Sequence, residues 1–350
     1  STLSPSSAAS DVYKRQERIL VYRVALLLRL ITGWGRRKIA RVVKELYKIS
    51  LDTAVLEKLI DRYMWRGCRP KGYTPSAFER SVFFNKIRET VFLIHKEHPE
   101  WSYKRVAREA NIRLRYLPIS MGKSTAWSLL QRPTRERELP LRINTNTDWR
   151  KIAYILGVCI GDMERSNEYL SVKDHEFIQY VSGVLSELTA KERRPLYDRK
   201  KGMYRLHIGA WARDAFSTGI WKVIAYVFST EFLQGFFDAE GYVSPSIARE
   251  RIATIVIGAS GRDAEVMHFV EKLLRESGFH PRFYKSVNRG KPLYSVILRG
   301  FYQAQRFAER IGFRVSYRRH RLQFLLSLKE LPQRERYVKW KQWKEKLKPN

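Results

Sequence analysis

The stretch "FLQGFFDAE" (232–240) is apolar until it meets its acids, and Gly241 follows where a helix would stop. Phe232, Leu233, Phe236 and Phe237 read as helix core, and Gly235 sits among them where a helix normally avoids glycine. Glu240 therefore stands at a helix C-terminus, an end that already carries partial negative charge. A carboxylate there is locally unfavourable unless something positive comes to it. A second stretch, "YILGVCIGDM" (154–163), has the same form, with Gly157 matching Gly235 and Asp162 matching Glu240. The chemistry such a pair suggests is cation binding. Asp238 reads as solvent-facing or helix-terminal.

The elements around the two acids also repeat. Each acid is followed by a string of the form S-x-[KR]-D-x-E, "SVKDHE" (171–176) and "SGRDAE" (260–265). Helical patterns come next, "FIQYVSGVLSEL" and "VMHFVEKLLRESG", and then alternating strand patterns, "MYRLHIGAW" and "LYSVILRGF". Four features in one order mark an internal duplication. The copies differ in one interval: 9 residues separate Asp162 from Ser171, and 20 separate Glu240 from Ser260. The first copy lacks most of a strand hairpin.

The chain has 350 residues, 44% of them hydrophobic, enough for two or three cores. Its 67 Lys plus Arg against 35 Asp plus Glu give a net charge of +32. The excess runs along the whole chain and points to a polyanionic partner, nucleic acid above all. Two cysteines, Cys68 and Cys159, make neither a zinc site nor a disulfide framework, so a reducing intracellular setting is expected. No apolar run reaches bilayer length.

Upstream of residue 141 the pattern is helical. Residues 1–16 are small, polar and aperiodic, and read as a disordered leader or a scar. Residues 17–70 give three helices, the first stopped by Gly33, the second burying Ile39, Ala40, Val43 and Leu46, the third capped by Asp52 or Thr53. Residues 71–140 hold a second unit, in which Ser102 and Ser124 would cap two helices, the latter carrying Thr125, Trp127 and Leu130. "CRPKGYTPSAFER" would link the units, and "RPTRERELPLRINTNT" would end the region. This grammar fits a helix-turn-helix or a plain helical bundle; the second copy is similar to the helix-turn-helix of transposase and resolvase families. Arg113, Arg115, Lys123 and Arg132 suit phosphate contacts.

Over residues 150–330 the paired strings resemble the two signature helices of the LAGLIDADG homing endonuclease family, in its two-motif, single-chain form. The second copy is the closer match. The resemblance implies an α+β fold: a duplicated αββαββα pseudo-dimer, halves 141–230 and 231–330, preceded by the all-α helix-turn-helix region and followed by a basic tail, 331–350. It implies signature helices packed side by side through Gly157 and Gly235, a monomer, and a sheet from each half offered to double-stranded DNA. Parallel helices would bring Asp162 and Glu240 together, and two carboxylates on two negative helix ends call for a divalent cation, Mg²⁺ or Mn²⁺. Such a cation could support phosphodiester hydrolysis. The resemblance also places a basic active-site residue near Lys173, with helix-start solvation as the alternative; Arg262 holds the matching position. Arg249, Arg251, Arg262, Lys285, Arg289, Lys291 and Arg299 are the DNA-contacting side chains expected in the second half. Two other readings use the same scaffold, a non-cleaving DNA-binding regulator and an intron RNA maturase. An intracellular, nucleoid-associated location goes with all three. Met163 departs from the family's glycine, so the first helix is expected to exit differently. The tail "YVKWKQWKEKLKPN" is expected as a short helix or a frayed segment on phosphate.

Overall fold

The computed structural model describes residues 5–64, 69–118, 120–131, 141, 143, 146–164, 168–189 and 191–346. Cys68, Arg132 and most of the 132–147 linker lie outside them. The chain divides into two compact units, and no helix among the described residues is long and apolar enough to cross a membrane.

The first unit comprises Ser1–Trp149, Leu185–Glu192 and Ile208–Ile224. It contains α1 (Pro5–Thr32), α2 (Arg36–Tyr47), α3 (Thr53–Met64), α4 (Ala77–Glu97), α5 (Tyr103–Arg113) and α6 (Lys123–Gln131). Gly33, at φ +70°, ends α1 as its position in the sequence suggests. Ile39, Ala40, Val43 and Leu46 are buried. Three expectations need correction. Residues 5–16 are not a disordered leader but the start of α1, because Pro is well placed in a first helical turn and Ala8 and Ala9 favour helix. The inter-unit link is shorter than expected, since Ser76 and Glu79 form a capping box that starts α4 at Ala77. Ser124 lies inside α6 rather than capping it. The Gly122 carbonyl accepts from the Ala126 amide at 3.1 Å, so α6 starts earlier and buries Ala126 and Leu129, leaving Trp127 exposed.

The second unit comprises Arg150–Val184, Arg193–His207 and Ala225–Asn350. The chain from residue 146 runs α7 (Asn146–Asp162), β1 (Met163–Glu164), β2 (Tyr169–Val172), α8 (His175–Thr189), β3 (Leu196–Asp198), β4 (Met203–His207), α9 (Ala210–Ser217) and α10 (Trp221–Val227). It continues with α11 (Ser229–Glu240), β5 (Gly241–Ala248), β6 (Arg251–Gly261), α12 (Ala264–Glu276), β7 (Arg282–Asn288), β8 (Lys291–Arg299), α13 (Phe301–Arg310), α14 (Ser316–Ser327) and α15 (Gln333–Lys346). The order αββαββα therefore occurs twice, from α7 and from α11. Two antiparallel four-stranded sheets have matching orders, β1-β2-β4-β3 and β5-β6-β8-β7.

The shared S-x-[KR]-D-x-E strings have a local cause. Asp263 caps α12, its Oδ1 accepting from the Glu265 and Val266 amides at 3.0 and 3.2 Å. Asp174 does the same for α8, accepting from the Phe177 amide at 2.9 Å. The short interval after Asp162 becomes strands of 2 and 4 residues, against 8 and 11 after Glu240. The first helix does not exit differently. Met163 opens β1 directly after Asp162, as Gly241 opens β5 after Glu240.

Over residues 337–346 the C-terminal segment is the short helix of the two expected forms, and one face of it is packed. Trp340 is 4% exposed, Trp343 stacks on Phe324 at 4.7 Å, and α15 packs on β6. Arg336 ties it down, donating to the carbonyls of Ile252 at 3.3 Å and Lys329 at 2.6 Å.

The centre of this unit is the crossing of α7 and α11. A Cβ on Gly157 would lie 2.1 Å from the Phe232 carbonyl oxygen, and one on Gly235 would lie 2.1 Å from that of Tyr154. The relation is reciprocal: each glycine meets the residue three before the other. No side chain fits there, and backbone cannot yield as a side chain would. Gly157→Ala or Gly235→Ala should therefore destabilise the protein at or beyond the upper end of ordinary overpacking, ~3 kcal/mol. Gly161→Ala, whose Cβ would meet only the side chains of Glu240 and Ala239, should cost less. Chemical denaturation of the three variants checks this, and a wild-type midpoint for Gly157→Ala contradicts the crossing.

Candidate active site

The crossing determines what lies at its far end. Asp162 and Glu240 are the last residues of α7 and α11, both partly buried. A Cβ on Gly161, the neighbour of Asp162, would lie 2.8 Å from Glu240 Cγ and 3.4 Å from its Oε1. The two acids feel each other. Burial first, then the charge of Asp162, pushes the Glu240 carboxyl up to about 7, against an opposing pull from Arg318. Burial also raises Asp162, again opposed by Arg318.

Arg318, on α14, is the residue that sequence reasoning missed. Its Nη1 donates to the carbonyls of Phe237, at 2.9 Å, and Asp238, and its Nη2 donates to that of Ala239 at 3.2 Å. One guanidinium thus satisfies the final carbonyls of α11 and puts positive charge at the negative helix end. Nothing in "SYRRHR" separates it from the many other cations of the chain.

Asp238 is not solvent-facing. It is 1% exposed and accepts from the Tyr154 hydroxyl at 2.9 Å and from the Arg314 and Val315 amides at 2.8 and 3.3 Å. Burial pushes its carboxyl up to about 6, while these donors pull it down. It ties α7, α11 and the α13–α14 connection together. Its donors sit up to 84 residues away, which helical periodicity cannot reveal.

Beside Glu240 opens a cleft of about 460 Å³ lined in part by Gly161, Met163, Ser260, Arg262 and Asp263. Arg262 is exposed at the bend between β6 and α12, so its charge can reach an anion in the cleft. Lys173 holds the equivalent bend between β2 and α8, is exposed, and does not line this cleft. Ser260 and Ser295 hydroxyls pair at 2.7 Å across the neighbouring strands.

The remaining sequence-derived residues fall in two groups. Arg249 (with Glu250) and Arg289 occupy left-handed turn positions at the tips of the β5–β6 and β7–β8 hairpins. Arg251, Lys285, Lys291 and Arg299 are exposed on the strands. Register places Arg299 opposite Val256, and Arg282 opposite Ile297, on the face away from Val243, Ile257 and Leu298. Tyr242, Ser244 and Tyr284 share that open face. In the helical region Arg115 and Lys123 line a groove with Lys104 and Arg108. Arg113 is engaged instead by Glu97 and Glu109, at 2.9 and 2.8 Å.

The donor set suits a hard divalent cation. Two carboxylates, both raised by burial and Glu240 also by the charge of Asp162, gain from shared positive charge. Among the described residues no group of three His, Cys, Asp or Glu could enclose a metal. Water and substrate oxygens would complete the shell, as Mg²⁺ prefers.

The raised Glu240 carboxyl has a pH consequence. A group held above its usual value of 4.5 in the fold stabilises the protein fully below that value and loses its contribution as pH rises through about 7. In EDTA, the melting temperature should fall between pH 5 and about 7.5, and less steeply in Glu240→Gln. Mg²⁺ should reduce the fall in the wild type. Parallel Tm–pH profiles for the two proteins in EDTA would count against the coupled pair.

Residues 228–312 match the family model described as LAGLIDADG-like domain. The chain is 23% identical over 204 residues to the uncharacterized protein MJ0398 of Methanocaldococcus jannaschii, covering 51% of this chain and 72% of that protein. Among solved structures it is similar to I-DmoI in complex with DNA and Ca (14% identity, TM-score 0.38, 51% of this chain and 99% of that one). It is likewise similar to I-DmoI in complex with DNA and Mn (16% identity, TM-score 0.37, 48% and 98%). The matched residues take in the whole second repeat, α11 to α13, and this chain therefore carries a LAGLIDADG-like domain at 228–312.

Proposed function

We propose that this protein is a metal-dependent endonuclease that hydrolyses phosphodiester bonds in double-stranded DNA at a preferred site. The observation that carries the reading is the carboxylate pair, set at two helix ends in a chain of net charge +32. A protein that only binds DNA gains nothing from two half-buried acids near phosphate, which disfavours the regulator reading. Asp162 and Glu240 would hold the cation, Mg²⁺ or Mn²⁺, which supplies Lewis acidity and a more acidic water when bound. Arg262 would take a non-bridging phosphate oxygen at the cleft mouth, and Lys173 is the corresponding base of the first repeat. Arg318 holds the end of α11 so that Glu240 faces the cleft. The open sheet face, with Tyr242, Ser244, Tyr284 and Arg299, offers donors, acceptors and cations suited to base edges and phosphates in a major groove.

Asp162→Asn and Glu240→Gln should each abolish Mg²⁺-dependent cleavage and leave DNA affinity nearly unchanged, because the positive field remains. A cleavage selection on a randomised duplex library, with EDTA as control, supplies the substrate. Wild-type cleavage rates in either variant would sink the assignment.

Readout should be lopsided. At about 3.3 Å per residue, the 11-residue strand β6 reaches roughly 36 Å, against about 13 Å for the 4-residue β2. Base-pair changes under the second repeat should cost about 1–3 kcal/mol each, and those under the first much less. A base-by-base cleavage profile with equal penalties in both half-sites overturns this.

A further inference from the structure

A cleft of about 460 Å³ in the helical unit lies between α1, α3 and the loop at residues 69–71. Lys14, Arg15 and Arg18 come from α1, Arg62 from α3, and Arg69 and Lys71 from the loop. The other lining residues are Tyr63 and Pro70; none is an acid. Two carboxylates on neighbouring elements are engaged elsewhere. Asp61 pairs with Arg36 at 2.8 Å, and Glu79 takes the Tyr73 hydroxyl, the Ser76 amide and Arg23. The cleft is also held in shape, because Arg15 Nε donates to the Lys71 carbonyl at 2.9 Å and so fastens the loop to α1. Six cations converging without an acid among the residues that line them repel one another, and bound anions relieve that repulsion.

We propose that this cleft binds the phosphates of a nucleic-acid backbone. Guanidinium groups grip phosphate oxygens in pairs, and four of the six cations are arginines. The cleft offers little for the rest of a nucleotide. Tyr63 is 5% exposed and packs edge-on against Tyr22 at 5.4 Å, so it presents no open ring for a base. No carboxylate is present for ribose hydroxyls. Recognition therefore falls on phosphate alone, and the contact is independent of sequence. The inference shares with the proposed function only the premise that the partner is nucleic acid. It stands even in a protein that never cleaves.

The test uses the full-length chain in EDTA, with a labelled duplex of arbitrary sequence and anisotropy read across a salt series. In Arg18→Gln/Arg62→Gln/Arg69→Gln the slope of log affinity against log salt should fall by about 0.9 per lost contact, roughly 2–3 in all. The charge-keeping Arg18→Lys/Arg62→Lys/Arg69→Lys variant should retain most of the slope. If the Gln triple fails to fold, each single Gln substitution should lower the slope by about 0.9. An unchanged slope in a folded triple, or in all three singles, overturns the proposal. Inorganic tripolyphosphate that binds the wild type and not the triple, while the DNA slope stays unchanged, also overturns it and makes the cleft a free-polyphosphate site.

Discussion

Two helices meet where each lacks a side chain, and most of the second unit follows from that contact. At Gly157 and Gly235 each backbone sits where the other's Cβ would be. Packing this close sets backbone directly against backbone, the Phe232 carbonyl at Gly157 and the Tyr154 carbonyl at Gly235. The register of one acid against the other is thus fixed by backbone rather than by rotamers. Asp238 reinforces it, reaching across to Tyr154 on α7 and to the amides of Arg314 and Val315.

The electrostatics of this end are organised around a conflict. Helix termini that already carry negative charge hold the acids, which raise each other's cost. Arg318 forms no ion pair with either acid; its two Nη atoms donate to backbone. Arg318 spends its donors on the carbonyls of residues 237–239, answering the helix end and leaving the carboxylate oxygens to other partners. Its field lowers both acids, yet Glu240 still stands at about 7. Burial is the larger cause of that rise and the charge of Asp162 the smaller, and Arg318 offsets them only in part.

The legible parts of the sequence were those that repeat or act locally. The duplication, the two glycines, the two acids and the unequal intervals each lie within a short window, and the unequal intervals became strands of unequal length. What was misread depends on distant partners. Asp238 gave no sign that its acceptors' donors come from α7 and from the segment after α13, and Arg318 is one cation among 67. The C-terminal "YVKWKQWK" reads as a short helix or a frayed tail, and only its partners, β6 and Phe324, decide for the helix. The start of α1 was hidden by small polar residues that a following apolar helix can extend into.

The two repeats keep one chain order but have diverged in what surrounds them. Ile160 stands in the first repeat where Asp238 stands in the second, so the buried hydrogen-bond knot exists once. The final helix of the first repeat, α9, belongs to the helical unit, where Trp211 stacks near Phe78 at 6.2 Å and Asp214 accepts from the Ala77 amide. The second repeat instead carries α14 and α15 beyond α13, and these supply Arg318, the Trp340 cover and the Arg336 clasp on β6. A short ribbon needs little support, whereas the 11-residue β6 has an irregular register between Ile252 and Thr254, opposite Ile247 and Ser246 of β5, and Arg336 of α15 braces it there. The asymmetry in strand length and the asymmetry in covering helices are in this way one adaptation: the repeat that reaches further is the one the chain invests in holding still.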